Sequence, residues 1–153
     1  MAEPTPLAMA SLLTRLVGRD VAFAQLTRPA PSKSKQIYGV YTTVPGGAHR
    51  VVQADLPLLG SLAGALVGLP PESIQDRLAS AEVDEMLRDA IYEILNVTSA
   101  VISPDARSVF QNVYTDPLHL PDEAADILRQ PLYRSYFNVT VQGYTGGAFF
   151  LFA

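Results

Sequence analysis

Apolar residues between positions 83 and 102 recur at helical spacing. In VDEMLRDAIYEILNVTSAVI, Leu87, Ala90, Ile91, Ile94, Thr98 and Val101 centre on one side. Each residue turns a helix by about 100°, so Asp89, Glu93 and Asn96 lie within about 80° of one another on the other side. Burying the apolar arc turns this polar ridge toward water.

The rest of the pattern divides the chain into similar units. Thr5 and Pro6 read as N-cap and first helical residue, with Leu7, Leu12, Leu13, Leu16 and Val17 as the apolar positions and Gly18 as the stop. VAFAQLT (21–27) reads as a strand, 30–35 as the solvated turn of a first hairpin, and QIYGVYTTV (36–44) as a second strand. Pro45-Gly46-Gly47 then turns the chain into a strand over 49–54, closing an antiparallel hairpin. Asp55 is placed to cap a helix over 56–68 that Gly68 ends; Pro70-Pro71 starts another through about Ala79, and Ser80 could cap the long helix that follows. Strands are predicted at about 107–115, 132–142 and 145–153, with a short helix over 122–130 after Pro121.

The order predicts one α+β domain over 1–153 with helices packed on antiparallel sheet. It consists of two αβββ-type halves, about 5–54 and 83–153, joined by helices at about 56–80. The run Ala148 to Ala153 is apolar on both strand faces, which predicts either a central strand or one covered by another chain, and with it a sheet-edge homodimer.

Composition narrows the chemistry. With 48% hydrophobic and 17% charged residues, 153 residues suffice for one real core. A net charge of -4 with scattered Lys and Arg argues against nucleic acid. The absence of cysteine excludes disulfides, thiolate zinc and thiol nucleophiles, and the separation of His49 from His119 argues against a histidine metal cluster. No apolar run approaches the roughly 20 residues of a membrane span, and the N-terminus lacks the basic region of a signal peptide, so a soluble, cytoplasmic protein is expected. The glycine-rich segments 45–47 and 143–147 lack the Lys and strand-to-helix context of phosphate loops and read as turns.

Any amphipathic helix needs a polar face, but Asn is a mediocre helix former where Lys, Gln or Glu would serve. At Asp89, Glu93 and Asn96, within DAIYEILNV, the sequence resembles the CheC/CheX family, phosphatases that remove the aspartyl phosphate from chemotaxis response regulators. SLLTRLVGRDVAF looks like that family's first helix and strand, and VVQADLPLLGSLAGALVGLP like its strand and middle helix. The resemblance implies a CheC-like fold, with Glu93 and Asn96 as catalytic residues and Asp89 as a partner contact. It further implies a phosphorylated receiver domain as partner and no cofactor of the chain's own, the divalent metal belonging to the receiver. Where the family carries Gly shortly after the Asn, this chain has Val97-Thr98-Ser99-Ala100; its later Pro position falls at His119, between Pro117 and Pro121. Some members carry a second site on the first helix, where this chain has Ser11 and Thr14. The alternatives are a catalytically silent CheC-like module that binds or dimerises in two-component signalling, and a ligand-binding domain with a pocket lined by the tyrosines of 36–44 and 132–144.

Overall fold

Local signals set most helix ends in the computed structural model, which describes residues 4–79, 83–103 and 105–153. Helix α1 (Pro6–Val17) starts on Thr5, whose hydroxyl accepts from the Ala8 N–H, and stops at Gly18, which takes the left-handed φ of 72°. It buries Met9, Leu13 and Val17 at four-residue spacing. Leu7, expected among the apolar positions, is 77% exposed because it lies two residues, or roughly 200° of helix, from Met9.

The remaining elements are β1 (Val21–Leu26), β2 (Gln36–Val44), β3 (His49–Asp55), α2 (Leu56–Val67), α3 (Pro71–Leu78), α4 (Glu85–Ile102), β4 (Arg107–Tyr114), a 3-10 turn (Pro117–His119), α5 (Asp122–Arg129), β5 (Arg134–Val141) and β6 (Gly147–Phe152). The strands form one sheet in the order β1-β5-β6-β3-β2-β4, every neighbouring pair antiparallel. Exchanging β1 with β4, β2 with β5 and β3 with β6 reverses this order onto itself, so the strand order of the two αβββ-type units is symmetric about the β3–β6 pair.

Segment 30–35 is not a hairpin turn. β1 pairs with β5, and three strands separate it from β2. Each unit's first strand instead extends the other unit's hairpin. A connection from Thr27 to Lys35 containing Pro29 and Pro31 is too long and stiff for a tight turn between adjacent strands.

Helices α1, α2 and α4 cover one face of the sheet, where Phe149 and Leu151 of β6 join Leu58, Leu62, Ile94 and Leu95. The other face of β6 presents Ala148, Phe150 and Phe152 to Leu120 and Ala124, which the 3-10 turn and α5 bring over the sheet. β6 is thus a central strand, paired on both sides and apolar on both faces. The sheet edges are β1 and β4, which removes the reason for expecting a dimer through β6.

Asp55 sits at the N-cap position of α2, but its side chain makes no cap bond. Its buried carboxylate accepts from the Ser32 hydroxyl at 2.7 Å, the Gln36 amide at 2.6 Å and the Ala148 N–H at 2.8 Å, which ties the β1–β2 connection and the start of β6 to one point. Gly147 permits this approach, since a Cβ there would lie 2.7 Å from Asp55 Oδ2. Ser80 lies outside the described residues. The cap of α4 is Asp84, whose carboxylate accepts from the Leu87 N–H at 3.0 Å and pairs with Arg77 at 2.8 Å, linking α3 to α4. The Leu87 N–H and then Arg77 hold its carboxyl below the usual carboxylate range.

Candidate functional site

The site is built on α4. Leu87, Ala90, Ile91, Ile94, Leu95, Thr98 and Ile102 are its buried residues. Each fully buried Leu or Ile contributes about 1.5–3 kcal/mol relative to exposure, so this seam fixes the helix's rotation. Asp89, Glu93 and Asn96 are all exposed. Among the described residues no side chain of the three makes a hydrogen bond or ion pair, which leaves two carboxylates and one amide along one ridge, open to solvent.

The turn carrying Glu93 and Asn96 is pinned from below. The Tyr41 hydroxyl of β2 donates to the Leu95 carbonyl at 2.6 Å, and the Thr98 hydroxyl donates to the Ile94 carbonyl at 2.7 Å. Burial pushes Tyr41 well above its ordinary pKa of 10.0, so it remains a neutral donor. The Leu95 side chain lies over Gly39 of β2, 3.4 Å from where a Cβ would stand. On the flank, the Tyr92 ring meets Phe110 edge-on at 4.8 Å.

Around the ridge, the structure uses the neighbouring residues in different ways. Val97 to Ala100, where the family carries glycine, include Thr98 at 1% exposure, so its side chain belongs to the core. Pro117 starts the 3-10 turn and Pro121 stands at the N-cap of α5, with His119 exposed between them. This connection serves the second sheet face, through Leu120, whereas α4 lies on the first. On α1, the Thr14 hydroxyl accepts from the Val21 N–H at 3.0 Å and donates to the Val21 carbonyl at 3.3 Å. It holds the α1–β1 turn and gives α1 no counterpart to Asn96.

Sequence reasoning passed over Met86 and Tyr92, 42% and 43% exposed, which flank the ridge at the edges of the apolar arc. Their helical angles were the available signal. Tyr41 had none, because its partner is 54 residues away. Among the described residues no group of three or more His, Cys, Asp or Glu could hold a metal ion, and no helix is long and apolar enough to cross a membrane. Tyr136 and Tyr144 line separate clefts, neither of which includes a tyrosine of 36–44, and Tyr41 is fully buried.

No family model and no curated protein sequence matches the chain. Solved structures match over nearly its full length. FliM of a FliM-SpeE complex from H. pylori superposes with a TM-score of 0.67 at 9% identity, covering 96% of this chain and 80% of the other. Thermotoga maritima FliY gives 0.60 at 16% identity, covering 94% and 80%. A chemotaxis protein CheX from Desulfovibrio desulfuricans gives 0.51 at 11% identity, covering 95% and 91%. With a six-stranded antiparallel sheet, five α-helices and superposition on these structures over nearly its whole length, the chain has the fold of the CheC/CheX/FliM family.

Proposed function

We propose that this protein is a phosphatase for the aspartyl phosphate of a response-regulator receiver domain, with α4 as its working surface. The observation that carries this reading is the exposed, unpartnered Glu93 and Asn96 on a turn anchored by Tyr41. An acyl phosphate hydrolyses once a water is held in line with the P–O bond to the aspartyl carboxylate. Water adds to phosphorus, that bond breaks, and aspartate and inorganic phosphate leave. Positioning is the main catalytic demand, so the protein needs no general base of its own. The Asn96 amide offers both a donor and an acceptor to such a water. Glu93, one turn earlier, carries the charge to engage a cationic side chain of the receiver, and Asp89 extends that contact. The divalent ion of the reaction belongs to the receiver.

The test is dephosphorylation of acyl-phosphorylated receivers from the same genome. Wild type is expected to accelerate phosphate release, Asn96→Ala to lose about 10²-fold or more of that acceleration, and Glu93→Ala to lose affinity as well as rate. An unchanged rate in Asn96→Ala would overturn the proposal.

One observation favours a second reading, a binding module without turnover. Backbone similarity is greater to FliM, whose solved complexes are with SpeE and with FliG, than to CheX. Under this reading the protein captures a partner without releasing phosphate, and Asn96→Ala leaves the affinity intact.

A further inference from the structure

Beside the N-terminal half of α4, where β2 begins and β4 ends, lies a cleft of about 520 Å³. Ile37, Ile91, Val83 and Val113 give it apolar walls, Thr115 adds a hydroxyl, and Lys35 and Arg88 stand at it as exposed cations. We propose that this cleft binds a small anionic amphiphile, its apolar body on Ile37, Ile91 and Val113 and its carboxylate or sulfonate between Lys35 and Arg88. Nothing in the phosphatase reading uses these residues.

Three observations carry the assignment. The volume falls within the range of small-ligand sites, roughly 300–1,000 Å³. The local charge opposes that of the whole chain: net charge is -4, yet among the described residues no carboxylate lines the cleft. Neither cation has a carboxylate partner among those residues, since the salt bridges there are Arg77–Asp84 and Arg129–Asp126, and the Arg88 guanidinium donates to the Val83 carbonyl. Two unpaired cations over an apolar floor select an anion with an apolar body and disfavour a cation of the same shape. A compact ligand fits better than an extended peptide added to the edge of β4, because the Asn112 side chain already accepts from the Val113 N–H and removes that donor from the edge.

The test uses the full chain with octanoate as probe and octylamine as the cationic control, followed through the methyl signals of Ile37, Ile91 and Val113. Octanoate is expected to shift those signals saturably, with a Kd on the order of 1 mM or below for a ligand of about ten non-hydrogen atoms. Lys35→Glu with Arg88→Glu should weaken binding by about tenfold or more, and the single Gln variants by less. Both positions are exposed, so the variants should keep the wild-type melting temperature. The proposal fails if octanoate gives no saturable shift, if octylamine binds as tightly, if the shifts centre elsewhere, or if the double variant binds like wild type.

Discussion

Tyr41 is the single residue on which the candidate site most depends without itself reaching the surface. Its ring packs on Phe110 and its hydroxyl supports the Leu95 carbonyl, next to Asn96. Tyr41→Phe keeps the ring and removes the bond, and should cost about 1 kcal/mol, or roughly 2–4 °C in melting temperature for a domain of this size. The pH dependence has a defined direction. The neutral hydroxyl's contribution is complete below the unfolded pKa near 10.0 and declines as pH rises from there toward the higher folded value. Thermal melts should therefore show a constant wild-type advantage below about pH 10 that shrinks as the pH rises above it. An advantage that stays constant above that pH would show that Tyr41 does not titrate as its burial requires. The shared ridge of Asp89, Glu93 and Asn96 was legible from sequence, because helical angle alone brings them onto one side of α4. Tyr41 was not, because a contact across 54 residues leaves no periodic trace.

At the scale of elements, α4 is held at its start by Asp84, which caps the helix and pairs with Arg77 of α3. Asp84→Ala should cost about 1 kcal/mol at neutral pH, measured by denaturant unfolding. Because the folded carboxyl sits below its ordinary 3.8, its contribution is complete above that value and disappears as pH falls through the folded pKa, where wild type and variant should coincide. The boundaries of α1, β2 and α4 followed local chemistry: Thr5 and Gly18 for the first, Pro45-Gly46-Gly47 after the second, a long apolar repeat for the third. Asp55 shows where such chemistry fails. A carboxylate at a helix start reads as a cap, yet three donors from distant segments compete for it, and the Ala148 N–H is 93 residues away.

For the molecule as a whole, two apolar clusters on opposite faces of one sheet must both be covered. α5 covers the second through Ala124, fully buried against the face that carries Val40, Val51 and Phe150. Ala124→Asp places an unpaired charge there and should destabilise by about 3–5 kcal/mol, with α5 unseated and new binding of a hydrophobic dye. If the variant melts like wild type, α5 is not the cover of that face. Light scattering bears on self-association: an edge-to-edge dimer must use β1 or β4, so a Lys or Pro placed on either should abolish it, whereas β6 is already paired on both sides. The sequence by itself determined the elements, the fold class and the solvent-facing ridge of α4, because caps, turns and side-chain periods act over a few residues. Strand order, the exchange of β1 and β4 between the two units, the use of Asp55, and the pinning of the Asn96 turn by Tyr41 were decided only in the tertiary structure. Each depends on which distant segments compete for the same hydrogen bonds and the same apolar surface, a contest that local pattern does not record.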